Sequence, residues 1–271
     1  MLRLLSIEFY KLRYTRYFWI LAGLFLVFLL AVPIASKALL DYLSSIGETI
    51  FDNLNPADLP IFDFVDLWQN LTWIYSAFSI FLGFIIVISI GNEYSYGTIK
   101  QNIIDGMSRQ EFLLSKLIFI AALSLIVSIL AMIIGLIMGF LWSPVTDLAF
   151  ILEHIEFIPA YFLHLFTFQV FCLVIGLLVK RSGITIAVLT FYVYVIEPII
   201  ASILEFKYEI VWLADLLPLS AIGNIIPLPF TKYAMLETQT SVGMDDLAIL
   251  LGYAALWVFL AYRIITKRDL R

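Results

Sequence analysis

Cysteine is almost absent from this sequence. The one cysteine, Cys172, sits inside an apolar run. No intrachain disulfide can form, and no cysteine-based metal centre is available. A small buried side chain is the simpler reading of Cys172 than a reactive thiol. Histidine is nearly as scarce, and His154 and His164 lack the spacing of a metal-binding pair. Charge is scarce too: Asp, Glu, Lys and Arg make up 14% of the 271 residues, against about 25% in a soluble domain. An ordinary water-soluble globule is therefore excluded. There is no G-x-x-x-x-G-K-S/T phosphate loop, no H-E-x-x-H pair and no G-x-S-x-G elbow. The apolar runs also lack the paired aspartates, or the serine with histidine, that an intramembrane protease needs. The chain has no recognisable means of hydrolysing ATP, and no enzyme class is indicated.

What is present is apolar. Apolar residues make up 63% of the chain, and mean hydropathy is +1.02. Several runs approach or exceed the roughly 20 apolar residues that cross a bilayer as a helix. The expected fold is all-α: a polytopic membrane protein in a single transmembrane domain. Six spans are expected at about 18–39, 71–90, 112–142, 158–179, 184–204 and 247–265. The first of these is too long, and its basic flank too patterned, for a cleaved signal peptide, so it is read as a retained helix. Residues 1–17 read as an amphipathic helix in the membrane interface. Leu2, Leu5, Phe9 and Leu12 follow helical spacing, and Arg3, Glu8, Lys11 and Arg13 lie mostly elsewhere.

The third run, Phe112 to Trp142, is about 46 Å long as a helix, more than a hydrocarbon core of about 30 Å. Gly135 and Gly139 in it form a small-xxx-small pair that permits close helix contact. Residues 205–245 are broken by Pro218, Pro227 and Pro229. They read as short re-entrant helices, whose backbone at that depth must be covered by protein.

Charge sets the orientation. The side bearing both ends carries 13 of the 16 basic residues, including Lys180, Arg181, Lys267, Arg268 and Arg271. The other side has only Lys37, Lys207 and Lys232, with about 15 of the 21 acids, among them Glu48, Asp52 and Asp58. The positive-inside rule then puts both ends in the cytosol and the protein in the cytoplasmic membrane. Five or seven spans would scatter these basic residues.

One polar stretch on the basic side has internal order: Gly91–Lys116, GNEYSYGTIKQNIIDGMSRQEFLLSK. Gly97 breaks the preceding helix, and Thr98 is expected to cap a short one. Ile99, Ile103 and Ile104 are expected on one side of it, away from Lys100, Gln101 and Asp105. Gly106 suits the left-handed position after a helix end. Ser108 to Glu111 reads as a capping box opening the next helix. A second feature is Glu197-Pro198 in the fifth run. An ionisable group in lipid is a functional candidate by default, for substrate, proton or gating, but proline also kinks a helix and frees a carbonyl. A structural role stays open, with Tyr192, Tyr194, His164 and Gln169 as candidate neighbours.

Glu93, then Gly97-Thr98, then Ser108-Arg109, then Lys116 resembles the permease subunits of ABC-2 type transporters. The layout of the whole chain is similar as well, although the motif covers only about 25 residues. The resemblance implies a half-transporter, paired with itself or a sister permease in the lipid membrane, with no nucleic acid partner. It implies two separate cytosolic ATPase subunits, which bind ATP and Mg; this chain itself would hold no cofactor. It makes residues 91–111 the coupling region that docks on the ATPase. Ile99, Ile103 and Ile104 would be the docking face, and Glu93, Lys100, Asp105 and Arg109 would orient it. Residues 205–245 would form an outer gate. Few charges in the spans favour a hydrophobic or amphiphilic cargo. Two other readings stay open here. An ATPase-independent channel or secondary transporter predicts internal repeats, and none is evident. A non-transporting scaffold or immunity protein is also compatible.

Overall fold

The computed structural model describes residues 2–47, 49, 55–56, 59–230 and 241–267. Glu48, Asp52, Asp58, Lys232, Arg268, Arg271, the side chain of Leu2 and residues 231–240 of the proline-broken segment lie outside this set. Among the described residues every regular element is helical.

Helix α1 (Leu2–Arg13) is followed, after Tyr14-Thr15, by α2 (Arg16–Ser45). The described chain resumes with α3 (Phe64–Ser76), α4 (Ile80–Ser95), α5 (Thr98–Ile104) and α6 (Arg109–Trp142). A short α7 (Leu148–Leu152) leads into α8 (Phe157–Val179) and α9 (Ser182–Phe191). A π-helical turn (Tyr192–Ile196), α10 (Glu197–Ser202) and a second π-helical turn (Ile203–Lys207) continue α9. The short helices α11 (Val211–Asp215) and α12 (Pro218–Gly223) precede the last helix, α13 (Met244–Lys267).

Among the described residues five helices are long and apolar enough to cross a membrane: Arg16–Ser45, Arg109–Trp142, Leu148–Val179 (α7 taken with α8), Ser182–Lys207 and Met244–Lys267. The helix expected at 71–90 is a pair instead. Helices α3 and α4 meet at a bend of 41° and count as a further span only if taken together. No proline or glycine marks that break; the sequence there is Ser76-Ala-Phe-Ser79.

Helix α8 is the centre of the bundle. It packs against α13, α4, α6, α3, α9 and α12. Tyr161, Leu165, Cys172 and Leu177 in it are fully buried, which confirms the simple reading of Cys172. The helices around it bury much less and leave broad apolar faces outward, such as Ile20, Leu24 and Val27 on α2 and Phe191, Ile199 and Ile203 beside the π-helical turns. A helix that is apolar on its outer face is suited to lipid.

The glycine pair of α6 works as expected. A Cβ at Gly139 would lie 2.4 Å from the Phe64 ring, and one at Gly135 would lie 2.8 Å from Trp68. The two positions thus accept the buried aromatics of α3.

The inward face of α1 differs from expectation. Leu12 is buried as expected, but Phe9 is exposed and Glu8 is only 1% exposed. Over the 12 residues of α1 the polar-apolar pattern places the stripe only to within one residue of rotation. The reason for the actual rotation is electrostatic: Glu8 pairs with the buried Lys116 of α6.

Candidate functional site

The connector Gly91–Lys116 is built around a helix too short to persist alone, since isolated helices below about 12–15 residues are marginal in water. Its ends are fixed by backbone chemistry. Gly97 takes φ +67 and is the N-cap of α5. The expected capping by Thr98 is not what occurs. Thr98 is the first helical residue, and its hydroxyl donates back to the Glu93 carbonyl at 3.4 Å. At the other end Gly106 has φ +97. Its N–H donates to the Ile103 carbonyl, and the Met107 N–H to the Asn102 carbonyl. This is the double bond of a Schellman end. Ser108 then opens α6 as expected: its hydroxyl accepts from the Glu111 N–H, and the Glu111 carboxylate accepts from the Ser108 N–H.

The three isoleucines do not share a face. Ile99 is 3% exposed and belongs to the core, and Ile103 packs against that core. Ile104 is 77% exposed. Residues 99 and 103 are four apart and point inward together, which turns 104 about 100° away. Burying a side chain like Ile99 is worth roughly 1.5–3 kcal/mol, so Ile99 and Ile103 are the footing of α5. Its outward surface is Ile104 with Tyr96, Lys100, Gln101 and Asp105. Gln101 donates to the Asp105 carboxylate at 3.0 Å.

The roots of the connector meet in a buried ion cluster. The Lys116 ammonium, from α6, donates to Glu8 of α1, to Glu93 of α4 at 2.7 Å and to Ser89 at 3.3 Å. Lys11 reaches Glu8 and Glu93, each at 3.2 Å. Ser115 donates to Glu8 at 3.3 Å. Two acids and two lysines thus balance, with Lys116 and Glu8 almost wholly removed from solvent. Burial raises the Glu8 carboxyl, but the Lys116 and Lys11 charges outweigh it and hold Glu8 below its ordinary 4.5. This cluster turns α1: a buried ammonium demands an inward acid. Glu93 and Lys116 were visible in the sequence as motif residues. Glu8, Lys11 and Ser115 were not. The available signal was that Glu8 is the sole acid of α1, between Leu5 and Leu12.

Arg109 adds a third tie. Its guanidinium donates to the Ile265 and Thr266 carbonyls at 3.2 and 3.0 Å, where a cation also favours the negative end of α13. The connector is thereby bound to α1, α4, α6 and α13.

At the other end of α4, Glu197 does structural work. It is 2% exposed, and its Oε1 accepts the backbone N–H groups of Leu219 and Ser220, the latter at 2.9 Å. These are orphan donors at the start of α12. Pro198 follows the first π-helical turn and sits in the first turn of α10. His164 Nδ1 bonds the Ile222 carbonyl at 2.9 Å, and Gln69 donates to the Pro227 carbonyl at 3.1 Å. The Tyr253 hydroxyl donates to the Leu216 carbonyl. Side chains from the long helices thus satisfy the backbone of the α11–α12 segment. Of the expected neighbours of Glu197, Tyr192 interacts with it. His164 instead meets α12, and Gln169 donates to Ser124 at 3.0 Å. Tyr194 is largely exposed.

These features define a class: an all-helical protein with several helices fit to cross a membrane, a rigid connector locked to its first helix, and a short-helix segment held from within. Residues 49–271 match the profile of the family described as Protein of unknown function (DUF2705), and the chain belongs to that family. No curated protein matches the chain.

Proposed function

We propose that the chain is the membrane subunit of an ATP-driven transporter of the ABC-2 type, exporting a hydrophobic or amphiphilic cargo. ATP, with Mg, is bound and hydrolysed by a separate cytosolic subunit. In this reading α3 and α4 together make one of six spans, both chain ends are cytosolic, and α1 lies at the membrane surface with Phe9 toward lipid. The chain pairs with a second copy or a sister permease. The α11–α12 segment closes the outer side.

The observation that carries the reading is the connector. A docking element must pass displacement to the spans without bending. Here α5 is closed at both ends, footed on Ile99 and Ile103, and tied through Glu93 and Lys116 to α1. Its outward surface offers Ile104 and Tyr96 as apolar contacts and Lys100 as a charge. Glu93, Gly97, Thr98, Ser108 and Arg109 then shape the element without touching the partner.

Photo-cross-linking in native membranes tests this. A benzoylphenylalanine at Ile104 should capture a polypeptide that carries a phosphate-binding loop, identified by mass spectrometry. The same probe at the lipid-suited Ile184 should not. Capture of such an ATPase from neither position, or equally from both, contradicts the reading.

A further inference from the structure

The elbow between α1 and α2 carries more positive charge than its surroundings answer. Five basic residues precede Asp41, and Glu8 is the sole acid among them. Glu8 is turned inward onto Lys116. Lys11 shares Glu8 and Glu93, and Lys37 pairs with Asp41 at 2.8 Å. Arg3 lines a cavity together with Asp105 and Glu111. Arg13 and Arg16 remain. Both are exposed, and among the described residues neither is in an ion pair.

Trp19 sets the depth of this pair. It is exposed in the first turn of α2, and the lipid-suited Ile20, Leu24 and Val27 follow it. Its indole N–H donates to the Arg13 carbonyl at 2.7 Å. Indole rings concentrate at the level of lipid headgroups. Phe9, one turn before Arg13, is exposed as well and suits the acyl boundary. The Arg13 guanidinium lies over the Tyr14 ring at 4.8 Å and the Tyr10 ring at 5.8 Å. Stacking occupies the face of a guanidinium and leaves its N–H edge to donate, and that planar fork matches a phosphate. Net charge then selects among headgroups. A choline headgroup brings its own cation, and the two tyrosine rings that could receive a quaternary ammonium already carry Arg13. A phosphate on a neutral alcohol leaves a net negative charge for the two guanidiniums.

We infer that the α1–α2 elbow seats the headgroup phosphate of an anionic phospholipid, with Arg13 and Arg16 as its donors. This seat requires α2 to span the membrane and stands apart from the transporter reading. Because Glu8 of α1 holds Lys116 of α6, a lipid bound at the elbow also steadies the root of the connector.

The test uses the full chain purified and reconstituted alone into phosphatidylcholine vesicles. The probe is a trace of phosphatidylglycerol with a diazirine next to its glycerol backbone and an alkyne at a tail end. The control is phosphatidylcholine with the same diazirine and alkyne. After irradiation, label is located by mass spectrometry. The phosphatidylglycerol probe should label residues 9–20 well above the control. Arg13→Gln and Arg16→Gln should each lower that labelling about fivefold, the share of one basic residue at an anionic surface. The double variant should fall to the level of the control. Arg3→Gln, whose charge Asp105 and Glu111 already answer, should leave labelling unchanged. Unlabelled phosphatidylglycerol should compete, and soluble glycerol phosphate should not. If the double variant does not fold, the parent chain decides: its preference for phosphatidylglycerol should largely vanish in about 1 M NaCl, where the screening length is about 3 Å. Equal labelling of the parent by both probes, a preference that survives in the double variant or in high salt, a loss in Arg3→Gln as large as in Arg13→Gln, or competition by soluble glycerol phosphate would overturn the seat. No ATPase is present, so such a failure leaves the coupling reading standing. Selective labelling by a chain that captures no ATPase in native membranes would instead remove the transporter reading and keep the seat.

Discussion

Replacing Lys116 by Met isolates what the ion cluster contributes. The substitution preserves length and removes the ammonium that Glu8, Glu93 and Ser89 share. Glu8 would keep Lys11 at 3.2 Å, but that lysine is 31% exposed and partly screened. Removing one partner from a buried pair typically costs about 3–5 kcal/mol, because a charge is left without compensation. For a chain of this size that corresponds to a fall in Tm of roughly 6–20 °C. The assay is thermal unfolding of the detergent-solubilised protein, followed by tryptophan fluorescence and by size-exclusion recovery. Adding Glu8→Gln to Lys116→Met should restore part of the loss, since the stranded acid is gone. The double-mutant coupling should exceed about 1 kcal/mol. A Tm within about 2 °C of the parent, or a double variant no better than the sum of the singles, refutes the claim that the cluster locks α1 to the connector.

The lowered carboxyl of Glu8 gives a pH dependence. Its contribution is complete above its ordinary value of 4.5 and is lost as pH falls through the lower folded value. Tm should therefore hold between pH 7 and 5 and fall below 4.5, with Glu8→Gln flattening that fall; an unchanged fall in the variant refutes the assignment. Gly139→Ala should lower Tm despite the better helix propensity of alanine, because its Cβ would meet the Phe64 ring. Overpacking of this kind costs about 1–3 kcal/mol, and Gly135→Ala, with a looser approach, should cost less. Glu197→Leu removes the acceptor for Leu219 and Ser220. Amide exchange at those two residues should speed up by about tenfold, in line with the roughly 0.5–2 kcal/mol of a lost cap, while Glu197→Gln should preserve most protection.

The long helices were legible because apolar runs of spanning length have one physical reading. So were the caps at Gly106 and Ser108, which depend on single residues, and the close approach at Gly135 and Gly139. The faces of short helices were not. Seven residues make about two turns, and in α5 the apolar residues 99, 103 and 104 fit two rotations equally well. Burial chose the one that hides Ile99. In α1 the pattern favoured Phe9 as an inward residue, and the pairing of Glu8 with a lysine 108 residues away overrode it. Long-range pairing also explains Glu197: its proline neighbour was visible, but the α12 amides it caps were not. The α3–α4 break has no breaker residue, and its cause is not evident in the local sequence.

Recovery of an ATPase with the chain tests the central claim most directly. Tagged protein is purified from native membranes in mild detergent, its companions are identified by mass spectrometry, and vanadate-sensitive ATP hydrolysis is measured. The parent chain should bring down a polypeptide with a phosphate-binding loop and the matching hydrolysis. Ile104→Asp, which changes only the exposed surface of α5, should lose both while its Tm stays within about 2 °C of the parent, as surface changes usually do. A parent preparation without any such ATPase, or an Ile104→Asp preparation that retains it in full, contradicts the account.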